Sequence, residues 1–351
     1  MKRIIVPTGY MGSGSSAVTD LISEFKDCQN ENKSYEYVLL HCPNGLFDLE
    51  DKLLIGNNAI RSDEAIRSFE IQMNKLYNKK FWWVGNYEKI IGPNFKNITD
   101  KFISNIEQFK FYGYWYMHEE VDTKMFLKLL LRKPLKILTF NKVKFNKILK
   151  YKDGMRISFI KPDEFYKFSH EYIYSVVKEI GKGKDNVIID QFLLPFNLHR
   201  VDNYFDDKLK VIAVERDPRD VFIINKYIWQ EKQICVPVPL DVHEFCKFYK
   251  NMRESELPTD SNKVYRVKFE DLVYNYDEEI EKITKFLGFT KKDHINKRTR
   301  FNPDISIKNT QLFRKEEYIE ETKIIEKELK KYLYDFPYEI NNDVKKTVEF
   351  E

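Results

Sequence analysis

The sequence predicts an α/β fold: a central, mostly parallel sheet flanked by helices, with a helical insertion at about residues 60–180. Three observations predict it. Short β-rich apolar runs alternate with helical periodicities. A glycine- and serine-rich turn joins the first such run to the first helix. The stretch 60–180 reads mostly as amphipathic helices, most simply an insertion into the alternating pattern. With 351 residues, 42% of them hydrophobic, the chain can bury a sizeable core, and we read 1–351 as one domain.

Residues 3–8 (Arg-Ile-Ile-Val-Pro-Thr) have the composition of a buried parallel strand. The loop over residues 8–16 follows, and then a helix in which Ala17, Val18, Leu21, Ile22 and Phe25 share one face. Residues 35–40 read as a second strand leading into the turn Cys42-Pro43-Asn44-Gly45. The middle carries aromatic knots at Phe81-Trp82-Trp83 and Tyr112-Gly113-Tyr114-Trp115-Tyr116. Val187-Ile188-Ile189 is a strand that closes at Asp190, residues 209–214 form another, and residues 264–269 one more. Ile280, Ile283 and Leu287 mark a helix that stops at Gly288, a good residue for the left-handed turn after a helix. The tail 316–336 reads as a charged helix carrying Ile325, Leu329, Tyr332 and Leu333.

Composition excludes several classes. Lys and Arg total 59 against 55 Asp and Glu, a net charge of +4, too balanced for a nucleic-acid binder. No apolar run reaches the roughly 20 residues needed to span a bilayer, and the N-terminus is too short for a signal peptide. Cys28, Cys42, Cys235 and Cys246 are scattered without CxxC spacing, which fits a reducing, cytoplasmic setting. The histidines, His41, His118, His170, His199, His243 and His294, show no ligand spacing, so no metal is expected. Aromatic residues make up 15% of the chain, which suits stacking on flat ligands as well as a filled core.

Two segments carry chemistry. Gly9, Gly12 and Gly14 let several backbone N–H groups converge, the following helix adds its positive N-terminus, and Ser13, Ser15 and Ser16 add hydroxyls. That is a cradle for a phosphate-like anion. It departs from the nucleotide-triphosphatase pattern GxxxxGK[ST], because no lysine follows a glycine here. The second segment, Arg216-Asp217-Pro218-Arg219-Asp220-Val221, follows a buried strand and opens a helix, so both segments point into one crevice at the carboxyl ends of the strands. Arg216 suits a bidentate phosphate contact, the alternative being an ion pair; Arg219 suits an ion pair or cap with Asp217.

With these residues, the chain resembles the sulfotransferases that use 3′-phosphoadenosine-5′-phosphosulfate (PAPS): its tail is similar to that of bacterial members, and its glutamate-base pattern and aromatic clusters resemble the carbohydrate-modifying ones. The resemblance rests on the strand, glycine loop and helix at residues 4–25, on Val211-Ile-Ala-Val-Glu-Arg-Asp-Pro-Arg-Asp-Val221, and on Val267-Lys-Phe-Glu-Asp-Leu-Val273 with Phe286-Leu287-Gly288. It extends to the tail from Phe301 to Arg314, and so spans nearly the whole chain. It implies a P-loop-like sulfotransferase fold, with PAPS as donor, 3′-phosphoadenosine-5′-phosphate (PAP) as product and no metal. It also implies a 5′-phosphosulfate on the loop Gly12, Ser13, Gly14, Ser15 and Ser16, and a 3′-phosphate on Arg216. The acceptor it implies is a hydroxyl, preferably on a glycan or glycan precursor.

Two positions depart from the family. The loop lysine or arginine that contacts the transferring group is Gly12 here, and the serine eight residues after the 3′-phosphate arginine is Ile224. Asn225 or Lys226 could supply the missing donor, with Arg61, Lys308 and Arg314 as further cations. Glu36 matches the glutamate base of the glycosaminoglycan enzymes; Asp190 is the second candidate and His199 the third. Phe269 stands where relatives stack the adenine, or else belongs to the core. Residues 125–140 (MFLKLLLRKPLKILTF) are basic and apolar; we read them as a core helix with lysines reaching out, the alternative being peripheral contact with a membrane. Competing functions are a P-loop kinase using ATP and a non-catalytic nucleotide-binding relative.

Overall fold

The computed structural model describes the chain apart from residues 29–34, 80–83, 113–125, 128–129, 132–133, 135–136, 140–153, 231, 233, 235 and 340–351. Its strands are β1 (Arg3–Gly9), β2 (Phe109–Tyr112), β3 (Gly154–Ile157), β4 (Asn186–Ile188), β5 (Leu209–Glu215) and β6 (Val264–Lys268). Four of them form a parallel sheet in the order β4-β1-β5-β6. Residues that alternate along a strand face opposite sides, so β1 and β5 feed two cores. Ile4, Val6, Val211 and Ala213 join one cluster; Ile5, Ile212 and Val214 join the other. Covering both faces is what a parallel sheet requires, and it explains why these strands read as continuous apolar runs.

The first face is covered by α2 (Leu46–Leu54), α3 (Ala59–Asn78), α4 (Asn94–Ile106) and α5 (Pro162–Gly181). The second is covered by α1 (Ser15–Ile22), α8 (Phe269–Tyr274) and α9 (Tyr276–Phe286). A third cluster joins α6 (Pro218–Ile223), α7 (Val242–Glu254) and α10 (Ile319–Glu328), through Phe222, Phe245, Tyr249 and Ile325. Register matters most between β1 and β5: Val6 pairs with Val211 and Gly9 with Val214, so their carboxyl ends finish level. Gly288 sits at φ +68° just after α9, as expected for a helix end.

Four expectations change. Residues 35–40 are not a strand but an irregular segment running into a turn. Both edges of β1 are already taken, by β4 and β5, and the segment's polar groups pair locally: Val38 N–H donates to the Tyr87 hydroxyl, and Cys42 N–H to the Val38 carbonyl. The helical middle also contains an antiparallel pair, β2 with β3. The tail is helical only over α10 with short turns on either side; beyond it, Tyr334 N–H donates to Asp217 and the Phe336 ring packs on Phe313. Those contacts hold the chain extended where its own periodicity favours a helix. In residues 125–140, Phe126, Leu127, Leu130, Leu131, Ile137 and Leu138 are each more than half exposed, so these side chains are not in a core. The knots at 81–83 and 113–116 lie outside the described residues, as do Cys235 and His118. Among the described residues, no helix is long and apolar enough to cross a membrane.

Candidate active site

β1 ends at Gly9, and the chain turns through Tyr10–Gly14 into α1, with Ser13 N–H donating to the Tyr10 carbonyl at 2.9 Å. Gly12 (φ +82°) and Gly14 (φ +94°) occupy the left-handed region that a side chain disfavours. No side chain caps α1, so the N–H groups of its first turn keep their capacity for an anion. Ser13 is buried with its hydroxyl unpartnered, Ser15 accepts from Gln191 Nε2 at 3.1 Å, and Ser16 is exposed. A Cβ on Gly14 would lie 2.7 Å from the Phe269 ring, so that ring is packed directly against the loop.

Arg216 follows β5 and lies beneath the same loop. It is 5% exposed; Nη1 donates to the Gly12 carbonyl at 3.2 Å and Nη2 to the Asn309 carbonyl, while Nε has no partner. Its guanidinium stacks on Phe269 at 4.5 Å. Burial pulls its pKa down, against the charges of Asp220, Glu270 and Asp217. Asp220 in turn accepts the N–H groups of Gln311 and Leu312, which docks the C-terminal segment over the arginine. Arg219 pairs with Asp217 and Glu326, stacks on Phe313, and so holds the tail rather than facing the loop.

The two residues after Ile224 separate cleanly. Ile224 is buried in the third core. Asn225, in a π-helical turn, is fully buried; its Nδ2 donates to the Val221 carbonyl and lies 3.0 Å from where a Gly12 Cβ would stand, and its Oδ1 has no partner. Lys226 points away, to Glu321. Of the other cations, Arg61 donates to the Asp51 and Lys52 carbonyls, and Arg314 is held by Gln311 and Glu339. Lys308 is half-buried beside Asn309.

Across the loop stand the carboxylates. Asp190, just beyond β4, is 8% exposed with Oδ1 unpartnered; burial first and the charge of Glu36 second push it up to about 7. Burial raises Glu36 too, and Glu36 lines a cavity together with Gly9, Tyr10, Met11 and Gln191. Two acids that feel each other titrate as a pair. An ionised Glu36 therefore makes Asp190 harder to ionise. His199 is not among the residues lining that cavity, and burial lowers its pKa.

Nearly the whole chain fits one family: the model of the sulfotransferase domain matches residues 4–349. The chain belongs to the sulfotransferase family. No curated protein and no solved structure matches it. This sulfotransferase has the parallel sheet flanked by helices that its family membership implies, and it is an enzyme that transfers sulfate.

Sequence reasoning missed Gln191. Its backbone sits at φ +53°, its N–H donates to the Pro7 carbonyl and its carbonyl meets His41 Nε2; its side chain joins Thr8 on β1 to Ser15 on α1. A glutamine directly after a strand-closing aspartate was the available signal.

Proposed function

We propose that this sulfotransferase moves a sulfuryl group from PAPS to a hydroxyl acceptor, with the glycine loop taking the 5′-phosphosulfate and Arg216 the 3′-phosphate. The observation that carries the reading is the junction of the two: Arg216 is bonded to the Gly12 carbonyl, so a guanidinium underlies the cradle of an uncapped helix. Both Ser13 Oγ and Arg216 Nε are buried donors without partners, as residues awaiting an anion would be. A 3′-phosphate would take the place of the Asn309 carbonyl on Nη2. Asn225 supplies the amide that replaces the family's serine, while Phe269, buried in the second core, backs the loop and the Arg216 guanidinium rather than stacking the adenine.

In the reaction the acceptor oxygen attacks sulfur in line, the bond from sulfur to the bridging phosphate oxygen breaks, and PAP leaves with that electron pair. The acceptor's proton passes to Glu36, which reaches the cavity and whose basicity burial raises. Charge developing on the leaving oxygen meets the α1 N–H groups and Ser13. With Gly12 in place of a loop cation, that electrostatic support is weaker than a lysine would give.

Calorimetric titration of the full chain with PAP, AMP and ATP tests the donor. PAP is expected to bind at least tenfold more tightly than AMP, because a charge-assisted contact contributes about 1.5–3 kcal/mol. Preference for ATP would favour a kinase, and PAP binding without sulfate transfer from PAPS would favour a non-catalytic relative.

A further inference from the structure

The antiparallel pair β2–β3 carries a long connection: the chain leaves it at Tyr112 and returns at Gly154, which face each other across the ladder. All four residues of β2 are exposed, and three of them, Phe109, Phe111 and Tyr112, are aromatic. Within the connection, Phe126, Leu127, Leu130, Leu131, Ile137 and Leu138 each leave more than half of their surface in solvent. The first four of these are helical. Apolar side chains gathered this densely on a surface mark a place of contact, because covering them removes apolar area from water.

The charge of the same connection says what covers it. From Lys124 to Lys152 the sequence has ten lysines and arginines and no aspartate or glutamate, whereas the rest of the chain has 49 basic against 55 acidic residues. Basic residues interrupt the apolar ones at Lys128, Arg132, Lys133 and Lys136, too often for a segment that crosses a bilayer. A second copy of the chain would set like charges against like. The buried centre of a protein–protein interface is depleted in lysine, and a nucleic acid offers no apolar layer for exposed leucines. The headgroup region of an anionic bilayer answers both features at once: its phosphates meet the cations and its acyl boundary takes the apolar side chains. The rings of β2, at the root of the connection, have the character of residues that sit at such a boundary. We propose that the β2–β3 connection docks the protein on an anionic membrane surface, with Phe126, Leu127, Leu130 and Leu131 entering the headgroup layer.

The experiment sediments the full chain with vesicles of phosphatidylcholine alone and of phosphatidylcholine with about one-third phosphatidylglycerol. We expect saturable binding to the anionic vesicles, at least tenfold weaker binding to the neutral ones, and a loss of affinity as salt is raised. Leu130→Glu with Leu131→Glu, at positions 56% and 55% exposed and therefore tolerant of a charge, should weaken vesicle binding at least tenfold and leave the melting temperature and PAP affinity unchanged. Lys128→Gln with Arg132→Gln and Lys133→Gln gives a second variant, which should lose the preference for anionic over neutral vesicles. Absence of binding to either vesicle overturns the proposal, as does equal binding to both, or anionic binding untouched by both sets of substitutions. Binding of heparin without binding of vesicles would overturn it too, since charge alone would then suffice. A parent chain that self-associates without binding vesicles, and becomes monomeric in the Leu130→Glu, Leu131→Glu variant, would assign the surface to a second copy instead.

Discussion

The two sides of the site are built differently. On the proposed donor side, the loop and Arg216 are fixed by backbone: left-handed glycines, a helix without a cap, and carbonyls from Gly12 and Asn309 that hold the guanidinium. On the proposed acceptor side, a carboxylate from an irregular segment, a glutamine beyond β4 and a face of α7 meet only in three dimensions. Where backbone geometry sets the requirement, few residue types satisfy it and they fall at fixed spacings. Where shape and polarity set it, many residue types serve and no spacing is imposed. The proposed donor chemistry therefore sits in two local segments, and the proposed acceptor wall is assembled from several.

The sharpest way to break that contrast is at Gly14. A valine there must adopt φ +94° and place its Cβ 2.7 Å from Phe269, so either the loop or the ring has to move. Gly14→Val is expected to abolish PAP binding and to lower the melting temperature as well. Adding Phe269→Ala should lower it further, because Phe269 is buried in the second core and its truncation opens a cavity. If Gly14→Val binds PAP as the parent does, the rigidity ascribed to the donor side is wrong.

On the acceptor side the largest effect is expected at Glu36. Glu36→Gln keeps its size but cannot take a proton, and a general base contributes about 10²–10⁴-fold. Turnover at saturating acceptor should fall at least a hundredfold while PAP affinity holds. Near-normal turnover, with collapse in Asp190→Asn, would move the role of base to Asp190.

The same contrast explains what the sequence made legible. The β1 and β5 runs, the glycine loop and the Arg216 segment were readable because a strand buried on both faces is continuously apolar and a tight anion-binding turn needs glycine. Residues 35–40 were misread as a strand: Tyr35, Tyr37 and Leu39 alternate with less buried neighbours, yet the sheet edge they would need is occupied by β4. Glu36 still reaches the site. The apolar face of α7 was written in the i, i+3, i+4, i+7 spacing of Phe245, Phe248, Tyr249 and Met252, but periodicity alone does not say whether such a face meets a core or a cavity. Asn225 was one of two candidates, and only the π-helical turn decides that it, and not Lys226, faces Gly12.

Arg216→Ala gives the next effect in size. Loss of the guanidinium should weaken PAP at least tenfold. It also leaves Asp220 and Glu270 buried without their counter-charge, and these are already pushed up to about 7 and about 8. The variant should therefore lose stability most steeply above neutral pH, where both acids ionise, and recover toward pH 5. Arg216→Lys retains a charge but not the paired donors, and should show the intermediate value in both measurements. Equal losses for PAP and for adenosine 5′-phosphosulfate, which lacks the 3′-phosphate, would mean that Arg216 acts only by holding the Gly12 carbonyl.

The smallest effect, and the one with a sign that discriminates, is at Asp190. Its pKa of about 7 in the folded protein lies above the ordinary 3.8, so the folded state binds more protons than the unfolded one between those values. Stability must then fall as pH rises from about 4 to 7, through this group alone. Asn at this position carries no such penalty. Asp190→Asn should melt higher than the parent at pH 8, and the difference should vanish near pH 4. The acidic limb of kcat/KM should stay in place, because burial, and not the charge of Asp190, holds Glu36 up. A melting difference that stays constant across the range would show that Asp190 is not held protonated by burial. A limb that moves to lower pH while the melting curves diverge would show that a charge on Asp190 helps hold the Glu36 proton.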